Sequence, residues 1–178
     1  MSGQPKPQLR VGDATMLERV LVAVGGAGTR VIAGPLQPVP DGVRLVQENP
    51  VNSGPVAGLA AGVTQISADV VVVVAADLPF LTSPLIETLV MRLDAEADVA
   101  LLVDENGRDQ YLLGAWRTGR LRTALAELEP LPGRAMRDLL ATVRVARVEV
   151  PAPNDAPAPW TDIDTPADLD RARRRVQG

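Results

Sequence analysis

Apolar positions along this chain switch between two spacings, and the switches mark its elements. Met16, Leu17, Val20, Leu21 and Val24 share one face of a helix predicted over Asp13–Val24. Thr15 and Glu18 stand at capping-box spacing at its start. Short runs at Arg30–Ala33 and Val43–Val46 predict strands, and Gly54-Pro55 opens a helix to about Ile66 with proline at its first position. Asp69–Ala76 holds five consecutive valines, Val70–Val74. Such an unbroken β-branched run predicts a strand buried on both faces, as in a parallel sheet. Ser83-Pro84 starts a helix that runs through Leu93. Val99–Val103 and Gln110–Trp116 predict two strands joined around the turn signal Asn106-Gly107. Arg120–Leu128 and Arg134–Val143 predict helices and Val145–Val150 a strand, while Thr165-Pro166-Ala167-Asp168 caps a last helix. A hairpin set into an alternating β/α order implies a mixed sheet. The expected architecture is α/β, a three-layer sandwich formed by residues 1–178 as one domain. Pro151–Pro159 is expected as an extended surface loop, because too little chain follows it to build a second core.

Composition narrows the chemistry more than the fold. With 46% hydrophobic and 22% charged residues in 178, the chain has the balance of a folded globular protein. No apolar run approaches the roughly 20 residues of a membrane-spanning helix, and Met1–Arg10 has no signal-peptide core, so a cytoplasmic location without membrane contact is expected. There is no cysteine and no histidine. Disulfides, thiolate nucleophiles, histidine bases and His- or Cys-ligated metals are thereby excluded. What remains is carboxylates, Arg, Lys, hydroxyls, backbone amides and a hard cation such as Mg²⁺, which takes oxygen ligands. A net charge of −4 and 2% aromatic content argue against nucleic acid as a partner. The basic run Arg171–Arg175 reads as the solvated last turn of a helix.

Three segments can carry chemistry. Asp77 directly follows the valine strand, where open α/β sheets bind ligands, and a carboxylate there can hold Mg²⁺ against phosphates. It can equally cap a turn before Pro79. Gly54, Gly58 and Gly62 line one helical face, which serves either close packing or the approach of a ligand to the helix start. Asp162 and Asp164, two residues apart on an extended segment, face the same side, and either can complete a metal site with Asp77. The competing role for Asp164 and Thr165 is capping the last helix. Lys6 is the one lysine in the chain, and a compact ammonium suits a phosphate. Gly25-Gly26-Ala27-Gly28 fails as a dinucleotide fingerprint, because it follows a helix and Val31 stands at the third glycine position. A Rossmann dehydrogenase is therefore set aside.

Taken in order, these segments resemble the MobA-like nucleotidyltransferases over essentially the whole chain. Gly3-x-x-Lys6 with Leu9 and Val11-Gly12 is similar to that family's Gly-x-x-Lys segment. Gly54-Pro55-Val56-Ala57-Gly58 resembles its Gly-Pro-Leu-Ala-Gly element, and Ala76-Asp77-Leu78-Pro79-Phe80 its metal-binding Asp-x-Pro. Asp162-Ile163-Asp164-Thr165-Pro166 resembles its closing Asn/Asp-x-Asn/Asp-Thr-Pro, and Gln110-Tyr111-Leu112-Leu113-Gly114 fits a central strand. The resemblance implies a nucleotide-diphospho-sugar-transferase type of Rossmann-like fold, with a mixed, mostly parallel sheet. It implies Mg²⁺ as cofactor, held by Asp77 and Asp164, with Lys6 and Asp77 as catalytic residues. It implies a nucleotide site of Lys6, Asn49, Gly54, Pro55, Gly58 and Asp77, although Asn49 departs from the family's Asp. The implied reaction moves a nucleoside monophosphate, GMP first, from GTP or another NTP to a phosphorylated acceptor such as molybdopterin and releases pyrophosphate. The family's opening strand and its Leu-Ala-Gly-Gly-x-x-x-Arg-Met phosphate loop are expected to lack a counterpart, since Met1 matches the loop's internal Met. Neighbouring strand edges would then stand unpaired, which is expected to lower stability or to be covered by homo-oligomer formation. A non-catalytic nucleotide-binding or partner protein of the same fold is the alternative.

Overall fold

The structure is a computed structural model that describes residues 5–177. The reading of Met1 and Gly3 lies outside the described residues. The chain enters through a 3₁₀ turn, Lys6–Gln8, and a two-residue antiparallel ladder of β1 (Arg10–Val11) with β2 (Ala14–Thr15). This small hairpin has no signature in the apolar spacing. It leads into α1 (Met16–Ala23), whose capping box between Thr15 and Glu18 is formed as expected.

The remaining elements follow in the predicted order: β3 (Arg30–Ala33), β4 (Val43–Val46), α2 (Pro55–Val63), β5 (Val70–Val74), α3 (Ser83–Met91), β6 (Val99–Val103), β7 (Asp109–Arg117), α4 (Thr118–Glu127), α5 (Met136–Leu140), β8 (Val145–Glu149) and α6 (Pro166–Gln177). α5 is half the length expected for Arg134–Val143. β5, β7, β6 and β8 form one sheet in that spatial order. β7 is antiparallel to both β5 and β6, and β6 is parallel to β8, so three strands share a direction and only β7 opposes them. β3 and β4 pair in parallel as a separate ladder.

The layers can be read from alternation within β5. Val70, Val72 and Val74 pack with Val20 of α1 and Leu85 and Leu89 of α3. Val71 and Val73 face the opposite way, with Val56 of α2, Leu121 of α4 and Leu139 of α5. A third cluster joins the entry segment to the last helix through Val11, Met16, Ile163, Leu169 and Ala172. Trp160 is buried, and its Nε1 donates to Glu105 Oε2 at 2.7 Å, tying the segment before Asp162 to the β6–β7 turn.

One expectation for β5 is corrected. All five valines are only half-buried, and among the described residues β5 pairs only with β7, not with a parallel neighbour. The reason is a break in the sheet. Among the described residues β3 pairs only with β4, so β3 and β5 present unpaired edges to a cavity of about 990 Å³. Val31 and Ala33 line one side and Val70–Val74 the other, with Leu21 of α1 and Leu59 of α2 closing the two faces.

Candidate active site

Asp77 lies in the turn after β5, and this places its carboxylate at the carboxyl end of the sheet. Ala75 and Ala76, directly before it, line the cavity. Asp164 arrives from a different segment. Its neighbours Trp160 and Ile163 are buried and pin that segment, while Asp162 and Asp164 project outward. Lys6 comes from the entry turn, held by a bond from Leu9 N to Lys6 O at 3.1 Å and from Met16 N to Leu9 O at 3.0 Å.

These three segments meet at one ammonium group. Lys6 Nζ donates to Asp77 Oδ2 at 2.6 Å and to Asp164 Oδ1 at 2.7 Å. Burial alone would lower the lysine pKa, but the hydrogen bonds to Asp164 and Asp77 outweigh it and raise it above the ordinary value. The same bond from Lys6 holds the Asp164 carboxyl below its ordinary range. Asp162 shifts the other way, raised first by burial and then by the negative charge of Asp164 beside it and of Asp77. Two carboxylates thus share one ammonium, with the third, Asp162, next to Asp164.

The structure bears on one of the two roles open for Asp164, the capping of the last helix. α6 is capped by Thr165 and Asp168: Thr165 N donates to Asp168 Oδ2 at 2.8 Å and Asp168 N to Thr165 Oγ1 at 3.2 Å. Asp164 takes no part in that box and turns to Lys6 instead.

The glycine-rich helix contributes a second wall. Gly54, Pro55, Gly58 and Gly62 all line the cavity. Gly54 has φ +96°, a conformation that favours glycine, and it starts α2. A methyl group at Gly58 or Gly62 would meet Ala33 at ordinary contact distance, so this stripe is where α2 rests on β3. Asn49 is exposed and outside the cavity lining, whereas its neighbour Glu48 faces in. Glu48 Oε1 accepts from Asn52 N at 2.9 Å, which fixes the carboxylate beside Gly58. Spacing along the chain offers no means of choosing between Glu48 and Asn49, because both lie past the end of β4. Nothing in the residue pattern signals Glu105 as the partner of Trp160.

Two of these carboxylates reach one cationic atom from separate segments, which is the donor chemistry a hard divalent cation takes. Among the described residues no group of three or more carboxylates is drawn together closely enough to enclose a metal by itself. The cluster therefore fits a cation that completes its coordination from water or a ligand.

A family model for the MobA-like NTP transferase domain matches residues 1–149. The chain belongs to this family. The family is one of nucleotidyltransferases, and the match ends before the segment that carries Asp162 and Asp164. Molybdenum cofactor guanylyltransferase of Rhodobacter capsulatus is 29% identical over 181 residues, covering 99% of this chain and 85% of that protein. Among solved structures, 2-C-methyl-D-erythritol 4-phosphate cytidylyltransferase of Thermus thermophilus superposes with a TM-score of 0.76 at 22% identity, covering 98% of this chain and 95% of the other. Molybdopterin-guanine dinucleotide biosynthesis protein A of Archaeoglobus fulgidus gives 0.75 at 18% identity, covering 98% and 92%. These two structures establish the α/β fold with its mixed sheet. No helix among the described residues is long and apolar enough to cross a membrane.

Proposed function

We propose that this MobA-like chain transfers GMP from GTP to the terminal phosphate of molybdopterin and releases pyrophosphate. The observation that carries this reading is the convergence of Lys6, Asp77 and Asp164 at the carboxyl rim, next to a cavity bounded by Gly54, Pro55 and Gly58. The name of the Rhodobacter relative supports the choice of base and acceptor.

In the proposed reaction an acceptor phosphate oxygen attacks the α-phosphorus in line. A new P–O bond forms as the bond to the bridging oxygen of the β-phosphate breaks, and the electron pair leaves with pyrophosphate. The nucleophile is already anionic at neutral pH, so a chain without histidine is equipped for the step. Lys6 neutralises charge on the phosphates. Asp77 and Asp164 would hold Mg²⁺, which when bound supplies further charge neutralisation. The opening turn of α2 at Gly54 offers backbone N–H groups to the nucleotide, and Glu48, which faces the cavity where Asn49 does not, offers an acceptor for base or ribose. The setting proposed for this chemistry is the cytoplasm.

The break between β3 and β5 favours a second reading, in which the chain binds nucleotide but does not turn it over. Pyrophosphate release with molybdopterin and Mg²⁺, measured against GTP and CTP in parallel, tests both. GTP-dependent release is expected. Preferential use of CTP would overturn the choice of base, and nucleotide binding without release of pyrophosphate would leave the second reading.

A further inference from the structure

Lys6 holds a position that a bound cation would also claim. Its ammonium touches one oxygen of Asp77 and one of Asp164, at 2.6 and 2.7 Å, and its side chain is only 29% exposed. Asp162 adds a third negative charge to the same neighbourhood. No other basic side chain forms an ion pair with Asp77 or Asp164 among the described residues. Residues 6, 77 and 164 come from three separate parts of the chain, so this pairing also holds the entry segment, β5 and the segment before α6 together.

We propose that Lys6 is the resident counter-cation of the Asp77–Asp164 pair, and that a divalent cation enters this pair only by displacing it. The inference rests on the nucleotidyl-transfer reading only for what draws Lys6 out. A divalent cation held by Asp77 and Asp164 would compete for the lone pairs that Lys6 holds, and its charge would repel the ammonium at close range. The free chain thus already has part of this negative charge neutralised and both carboxylates occupied, and it binds a divalent cation weakly. A triphosphate carries several negative charges and gives Lys6 another partner a short swing away. Release of Lys6 to the phosphates empties the carboxylate pair for the cation, so each ligand favours the other. The chain therefore discriminates against cation without nucleotide by means of its own side chain.

Mn²⁺ binding to the full chain without nucleotide, followed by electron paramagnetic resonance, reads the competition directly. Lys6→Met keeps an unbranched side chain, one atom shorter, and removes its charge, and it is expected to bind Mn²⁺ about tenfold more tightly than the unaltered chain. Lys6→Arg keeps the charge and is expected to bind no more tightly than the unaltered chain. Circular dichroism checks that each variant is folded. A second measurement needs no variant. Because Lys6 is the one lysine, its acetylation by a water-soluble succinimidyl ester can be followed by mass spectrometry of a single peptide. Saturating Mn²⁺ is expected to speed that acetylation, and the same ionic strength of KCl is not. Equal or weaker Mn²⁺ binding by Lys6→Met, or acetylation indifferent to Mn²⁺, overturns the proposal. Neither measurement uses GTP, so failure of the guanylyl-transfer reading would be seen separately, as absence of pyrophosphate release.

Discussion

At the scale of single residues, the site sets one ammonium against carboxylates from distant parts of the chain. Asp77 makes no side-chain hydrogen bond other than the one from Lys6 among the described residues, so its removal should cost function more than folding. Asp77→Ala is expected to lower Mg²⁺-dependent pyrophosphate release by about 100-fold or more, as when a group that stabilises transition-state charge is lost. Its far-ultraviolet circular dichroism should not change. Asp164→Ala is expected to weaken Mg²⁺ dependence with little change in melting temperature, because Thr165 and Asp168 form the cap of α6. A fall in melting temperature without a change in Mg²⁺ affinity would return Asp164 to a capping role. A different carboxylate governs stability. Asp98 is buried, and it accepts from Arg144 N at 3.0 Å, the Arg144 guanidinium at 3.2 Å and Arg120 Nε at 3.1 Å. Burial alone would raise its pKa, but these bonds outweigh it and hold the carboxyl at about 2, below its ordinary 3.8. A carboxyl depressed by folding stabilises the native state above its unfolded pKa, and that contribution is lost as pH falls from about 4 towards 2. Asp98→Asn is expected to cost about 1–3 kcal/mol at neutral pH. Urea unfolding at pH 5 and pH 2.5 should show a smaller acid-induced loss in the variant than in the unaltered chain.

At the scale of elements, α2 separates two kinds of glycine. Gly62 lies inside the helix with room for a methyl group against Ala33, so Gly62→Ala is expected to be neutral or to stabilise by up to about 1 kcal/mol. Gly54 at φ +96° has no such freedom, and Gly54→Ala is expected to cost about 1–3 kcal/mol in thermal or urea unfolding. Local signals made most elements legible: the valine run marked β5, proline at the first position marked α2, Ser83-Pro84 marked the start of α3, and Asn106-Gly107 marked the turn between β6 and β7. Asp77 could be found because it ends a strand, and the pairing of Gly54 with Pro55 because it begins a helix. What local pattern could not supply was partnership across the chain. Lys6 and Asp164 are 158 residues apart, and no periodicity links them. β7 inserts between β5 and β6 through ladders whose order depends on the packing of the whole sheet. The half-burial of β5 was hidden for the same reason, since a valine run reports what a strand can bury and not which neighbour is there to cover it.

At the scale of the whole molecule, the break between β3 and β5 is the feature with the largest energetic reach. Its walls are mostly apolar on both strands and both helical faces, and among the described residues two rows of backbone groups end there without partners in a ladder. A strand of about five residues, with apolar side chains on both faces, would match the length of β5 and satisfy both edges. The hydrogen bond from Trp160 to Glu105 carries a consequence of an optical kind. The chain has two tryptophans. Trp116 is sealed in the interior, while the indole of Trp160 is bonded to a carboxylate two residues before Asp162. Any shift of that segment as a ligand arrives alters the polarity around Trp160 and leaves Trp116 in place, so the wavelength of the protein's own fluorescence reports the movement without an added label.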